Sequence, residues 1–285
     1  MQGFSDNSRG SAFIVTLLMT ALITAAIVEF AYSVYVGTNI LYNYRDAKRL
    51  SVLADSAIYI ALDYIKEYLS KMKYTNLQSV SIPLAKEDSP EALTVTIIDE
   101  CAKFNINTII NENGSRNDIA FNGLLRLLKH LGIDQRAASL IAQHIAPNST
   151  KKHPLYTPDA LYRIKAIAPE DIKKLLPFIT VYGNGLININ TAPEAVLIAL
   201  SEEIDKELAG RIICYRDNAP FTQTADMQKV TGMEGITKTL LGRISIRSTA
   251  FTVQARASYN SLSREINTAV VFESKSAAIK YWKEL

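Results

Sequence analysis

Three observations predict an α+β fold. A helical pattern runs without proline from Ser11 to about Met72. Alternating apolar and β-branched residues mark strands at Leu93–Ile98, Phe251–Ala257 and Glu265–Phe272. Between the first strand and the last two, the pattern is helical. The simplest architecture is one long N-terminal helix packed on a small antiparallel sheet, with a large all-helical domain inserted between strands. A lone hairpin is marginal, so the two late strands need the early one as partner.

The N-terminal helix divides by composition. A polar leader, residues 1–10, ends in Arg9-Gly10, and an uncharged run, SAFIVTLLMTALITAAIV, fills Ser11 to Val28. As a helix that run is about 27 Å long, close to the hydrocarbon thickness of a bilayer. A secretory signal peptide would carry its small residues after the apolar run. Here they stand before it, so cleavage would leave the apolar helix on the mature chain. Arg9 precedes the run and no Lys or Arg follows until Arg45, which puts the N-terminus in the cytoplasm and the remainder outside. Glu29 marks the outer boundary, or pairs with a neighbouring subunit. From Leu41 to Leu69 apolar residues recur every three or four positions, an amphipathic continuation of the anchor. Gly37 is the one glycine between Ser11 and Met72 and the place for a kink or a break.

Tyr74 to Glu91, with Pro83 and Pro90, reads as a loop. Phe121–Leu131 is a strong amphipathic helix ended by Gly132, and Asp134–Ile145 is stopped by Pro147. Thr157 is placed as N-cap with Pro158 at the first helical position, and Pro169–Leu176 gives a further helix. Phe178–Val181 and Leu186–Ile189 read as extended, joined in a hairpin by Gly183-Asn184-Gly185. Thr191-Ala-Pro-Glu194 reads as a capping box. Helices follow at Pro193–Leu200, Lys206–Asp217, Thr224–Val230 and about Thr237–Leu241, and Ser258–Arg264 is the loop between the late strands. The resulting division is leader 1–10, anchor helix 11–72, sheet 73–107 with 243–285, and helical insert 108–242.

A net charge of +3 and no run of five like charges give no case for nucleic acid. Cys101 and Cys214 form no C-x-x-C; they either pair outside the cytoplasm or never meet. His130, His144 and His153 lie in no H-E-x-x-H, and there is no G-x-S-x-G or Walker loop, so no enzyme chemistry is assigned and the catalytic residues are none. Asn148-Ser149-Thr150 is a single sequon.

Arg9-Gly10-Ser11-Ala-Phe-Ile-Val15 before an apolar helix resembles a type IV prepilin site. That resemblance implies cleavage after Gly10, a mature N-terminus at Ser11, and methylation by a prepilin peptidase. Asp99-Glu-Cys-Ala-Lys-Phe-Asn-Ile-Asn107 resembles the D-E-x-x-K/R-x-N-I/L-N stretch of the type II secretion minor pseudopilin K family. Gly185-Leu-Ile-Asn-Ile-Asn-Thr-Ala-Pro-Glu194, Arg216-Asp-Asn-Ala-Pro-Phe221 and Ser248-Thr-Ala-Phe251 resemble further signatures of that family, in the same order.

The resemblance implies a pilin-like fold and a minor pseudopilin at the tip of a secretion pseudopilus. It implies as partners the other minor pseudopilins, the major pseudopilin filament, the prepilin peptidase and the inner membrane. Most pilins carry a glutamate where Val15 stands; the family lacks it. An unpaired carboxylate in lipid is costly, and a tip subunit has no neighbour ahead to pair with it. Ala21, Ala25, Ala26 and Gly37 permit close helix approach. Some members bind calcium, and Glu87, Asp88, Asp99 and Glu100 are acidic loop residues here, although none is spaced as an EF-hand. The competing reading is a membrane-anchored DNA receptor, because Asn190-Thr-Ala-Pro, Leu208–Asp217 and Pro220–Met233 resemble tandem helix-hairpin-helix modules. Against it, the first hairpin, Leu200–Leu208, has no glycine and four carboxylates. The second, Val230–Ile236, sets Glu234 between Gly232 and Gly235. A minor pilin of a related type IV filament is the other alternative.

Overall fold

The computed structural model describes residues 7–77, 80–83, 91–147, 151–273 and 276–285. Contacts divide the chain into two units, Met1–Leu50 and Ser51–Leu285. One helix, α1 (Asn7–Lys71), is assigned without a break at Gly37. In the first unit the large apolar side chains Phe13, Val15, Leu22, Ile27, Phe30, Tyr35 and Leu41 are all at least half exposed.

In the second unit α1 turns amphipathic. Ala54, Ala57, Ile58, Ala61, Leu62 and Ile65 recur at helical spacing and are buried. The sheet has five strands in the order β1 (Val80–Pro83), β2 (Glu91–Asp99), β7 (Ala250–Tyr259), β8 (Leu262–Glu273), β9 (Ser276–Glu284), all antiparallel. Its period of two puts Val95, Ile97, Val253, Ala255, Ala257 and Ile266 on one buried face. The Tyr59 and Trp282 rings, 6.5 Å apart, tie the helix to the strand at one side. The loop between β7 and β8 shrinks from the expected Ser258–Arg264 to Asn260-Ser261, with Asn260 at φ 51°. The sequence reading missed β1, inside the expected loop, and β9. β1 ends in Pro83, which an edge strand tolerates.

Between β2 and β7 the chain builds a helical block around its own apolar core. It contains α2 (Asp118–His130), α3 (Arg136–Ile145), α4 (Pro169–Leu175), α5 (Glu194–Leu200), α6 (Lys206–Asn218) and α7 (Ile236–Thr239). Leu124, Leu127, Leu128, Ile141, Val196, Leu197, Ile212 and Phe221 are completely buried in it. α2 ends as expected: Gly132 takes φ +68°, and the Ile133 and Gly132 amides donate to Leu128 O (2.9 Å) and Lys129 O (3.2 Å), the Schellman pattern.

Several local expectations fail, in part because side chains take over backbone work. The expected hairpin over Phe178–Ile189 does not form. β4 (Ile179–Thr180) pairs in parallel with β3 (Phe104–Asn105), and β5 (Ile187–Asn188) pairs in parallel with β6 (Ile244–Ser245). Gly183 and Gly185 do bend the chain at positive φ, but the bend leads to distant partners. Asn105 Nδ2 donates to Tyr182 O (3.0 Å) and Gly183 O (3.2 Å), holding the first pairing. The Thr191 capping box does not form either; Pro193 is the N-cap of α5 without a side-chain bond, and the Thr191 hydroxyl is used elsewhere. Thr157 makes no cap bond, and Pro158–Arg163 is a 3-10 turn. Thr224–Lys229 is also 3-10, capped by a reciprocal Gln223–Asp226 box.

Candidate functional site

The family-like motifs converge on a buried polar joint between the sheet and the helical block. Asp99, at the end of β2, is its centre and is 3% exposed. Its Oδ2 accepts from Thr191 Oγ1 (2.6 Å), Ser248 Oγ (2.6 Å) and Asn188 Nδ2 (3.1 Å); its Oδ1 accepts from the Cys101 amide (2.8 Å). Every contact is a donor, the arrangement that suits an ionised carboxylate. Burial pushes the Asp99 pKa up, and the Ser248, Thr191, Asn188 and Cys101 donors pull against that rise.

Around Asp99 the side chains bond to one another and to the backbone, and Arg216 Nε is the buried polar atom here left without a hydrogen bond among the described residues. Asn188 Nδ2 also donates to Thr75 O (3.0 Å) and Ser248 Oγ (2.8 Å), and Asn188 Oδ1 accepts the Asn190 amide (3.0 Å). The Ser248 amide donates to Thr75 Oγ1 (3.0 Å). Thr75, just beyond α1, is thereby drawn into the same knot. The motif's other asparagines act likewise. Asn107 exchanges bonds with Leu155, donating to its carbonyl (2.9 Å) and accepting its amide (2.8 Å). Asn190 does the same with Phe221 (3.0 and 2.8 Å). Arg216, 6% exposed, donates through Nη1 to Ile189 O (2.8 Å) and Ala192 O (2.7 Å). Burial lowers its pKa while Asp217, 3.9 Å away, raises it. Sequence reasoning quoted most of these residues as motif but missed Thr75 and the pairings. The available signal was polar residues set among isoleucines, such as Asn188 between Ile187 and Ile189.

The joint offers no reaction centre. Glu100 accepts from Lys103 Nζ (2.7 Å) and Thr252 Oγ1 (2.8 Å), so Asp99 and Glu100 are both committed to internal donors and do not fit a calcium site. Among the described residues no three His, Cys, Asp or Glu side chains gather as metal ligands. Glu87, Asp88, Pro90 and the sequon Asn148-Ser149-Thr150 lie outside the described residues. Cys101 is buried, its thiol pKa raised by burial and by Asp99; Cys214 is exposed, and both are free. His130 Nε2 lies 3.8 Å from Glu194, and the His153 amide donates to Ile145 O (2.7 Å).

The two hairpins that resemble DNA-binding modules present carboxylates where phosphate would sit. Asp205 Oδ1 accepts the Leu208 amide (2.8 Å) at the start of α6, and Glu234 Oε2 accepts the Gly232 amide (3.0 Å). Both amides are thereby taken by carboxylates of the chain itself.

Of the anchor residues, Gly10 and Ser11 already lie within α1, and the helix is long and apolar enough to cross a membrane. Val15 is half exposed, Ala21, Ala25 and Ala26 are exposed, and Gly37 is partly buried with open space where a Cβ would stand. Arg9 lies in the helix as backbone.

Residues 187–247 match the model of the family described as type II secretion system (T2SS), protein K. That match makes this stretch, about a fifth of the chain, similar to protein K. The matched stretch holds Asn188, Asn190, Thr191 and Arg216, the helical-block side of the joint. A solved structure is also similar, the GspK-GspI-GspJ complex from the enterotoxigenic Escherichia coli Type 2 Secretion System. The identity is 17% and the TM-score 0.66, over 87% of this chain and 99% of that chain. This likeness concerns the fold: a long N-terminal helix, an antiparallel sheet and a mostly helical remainder. No curated protein matches the chain.

Proposed function

We propose that this chain is the minor pseudopilin at the tip of a type II secretion pseudopilus, where it initiates or caps assembly and so supports protein export. It acts by assembly and carries no chemistry of its own. The observation that carries this reading is the helical block, with a core of its own, leaving the sheet after β2 and returning at β7. Residues 108–242 act as an inserted domain whose bulk opposes addition of a further subunit, and the Asp99 joint holds it on the sheet.

The anchor follows the same reading. A prepilin peptidase cuts after Gly10, with Arg9 on the cytoplasmic side, and methylates Ser11. The helix from Ser11 then crosses the inner membrane once, and the rest lies in the periplasm. Side chains exposed through the whole apolar run need lipid or other helices around them, and lipid suits the first part. Ala21, Ala25, Ala26 and Gly37 let helices of other minor pseudopilins and of the major pseudopilin filament approach. GspK is found with GspI and GspJ in the similar complex, and we assign this chain partners of the same kind. Val15 leaves no carboxylate to pair ahead, as suits a subunit with nothing ahead of it. Mass spectrometry of the mature membrane protein tests the anchor: the expected start is N-methylated Ser11, and an intact leader or another start contradicts it. Deletion of residues 108–242 tests the cap; unchanged filament length and export contradict it.

A further inference from the structure

β9 is the last strand of the sheet, and among the described residues nothing pairs with its outer side. Leu285 and Glu265 exchange both backbone bonds across β8 and β9 (2.8 and 3.2 Å). Antiparallel alternation then turns the backbone groups of Glu284 and Trp282 outward. Edge strands are usually kept short, covered or charged. This one spans nine residues and shows an apolar set: Ile279 is 45% exposed, Trp282 38%, and the adjacent Tyr59 on α1 53%.

Lys280 and Lys283 are exposed on the same strand and form no ion pair among the described residues, while Glu284 is engaged by the Ser51 hydroxyl at 2.5 Å. The strand thus carries two lysine charges without an internal ion pair, and the Glu284 carboxylate is directed back toward Ser51. Unpaired amides and carbonyls in a row fit another strand, the apolar side chains fit apolar neighbours, and the free lysines fit carboxylates. A second copy of β9 would bring its own Lys280 and Lys283 to the pairing, so a segment richer in carboxylates is the better match.

We propose that the outer edge of β9 is a strand-addition surface that takes an extended segment of a different chain bearing apolar and acidic residues. It stands independently of the pseudopilus reading.

The test is photo-crosslinking in cells, with benzoylphenylalanine at position 279 of the full chain in its membrane. The expected product joins position 279 to an extended, acid-containing segment of another chain. Its yield should fall at least about fivefold in the Lys280→Glu/Lys283→Glu double variant and in Trp282→Pro, and persist in Trp282→Phe, which keeps the outward amide. Hydrogen exchange checks the same contact without substitution: the Trp282 amide should exchange at least about tenfold more slowly in the membrane-assembled protein than in the detergent-solubilised chain. No crosslink to another chain, a crosslink to a helix or to β9 of a second copy, a yield indifferent to charge reversal, or unchanged exchange at Trp282 would each overturn the proposal.

Discussion

The Thr191 hydroxyl donates to Asp99 Oδ2 at 2.6 Å, joining positions 92 apart in the chain. One residue ends a sheet strand and the other precedes a helix of the block, so this bond and its neighbours couple the two. Asp99→Ala would leave the Asn188, Thr191, Ser248 and Cys101 donors short of an acceptor. Each unmet buried donor costs about 1–3 kcal/mol, and some regain other partners, so a loss of about 3 kcal/mol or more is expected. Urea unfolding of the detergent-solubilised protein measures it.

The two buried aspartates respond to acid with opposite signs. Burial raises the Asp99 pKa above 3.8, so the folded chain takes this proton before the unfolded one, and the site adds stability as pH falls toward 3.8. Lys229 above all, helped by Gln223 and Thr222, holds Asp226 well below the usual carboxylate range, so its contribution is present above pH 3.8 and is lost below it. The stability gap between wild type and Asp226→Asn should therefore narrow below about pH 4. The gap to Asp99→Asn should not narrow there. Thermal melts across the acid range compare the two.

Gly185 is expected to be intolerant of any side chain. Its φ is +81°, and a Cβ there would run into Thr108 Cγ2. Thr108 cannot readily swing away, because its hydroxyl donates to Asn105 O at 2.6 Å. Gly185→Ala should cost about 2 kcal/mol or more, read from the unfolding midpoint.

Arg216→Lys should not be conservative. One guanidinium nitrogen serves the Ile189 and Ala192 carbonyls from a buried site, and a compact, strongly hydrated ammonium is poorly placed to replace it. A loss of about 1–3 kcal/mol is expected by urea unfolding.

Duplex DNA should not bind the full chain even at about 50 mM salt, where phosphate contacts are strongest. Glu234 holds the Gly232 amide and Asp205 the Leu208 amide. A mobility shift abolished by higher salt would contradict this and revive the DNA-receptor reading.

Much of the architecture was legible because it rests on periodicity. α1, β2, β7, β8 and the amphipathic α2 follow from spacing and from Gly132. β9 was hidden because SAAIKYWKE carries lysines on a strand with one open side, so no buried face imposes alternation. The two-residue parallel strands were hidden for another reason: Asn105 and the turn glycines hold the first pairing, and its partner lies far along the chain. The joint was half legible. Asp99, Asn188, Asn190 and Arg216 stood in the motifs, but the local capping rule spent Thr191 on α5, and only the fold assigns its hydroxyl to Asp99.

The tip assignment is tested most directly by gold labelling of an epitope-tagged full chain on pseudopili extracted from membranes. The proposal predicts label at one end of each filament. Label distributed along the length, or filaments without it, would contradict the proposal.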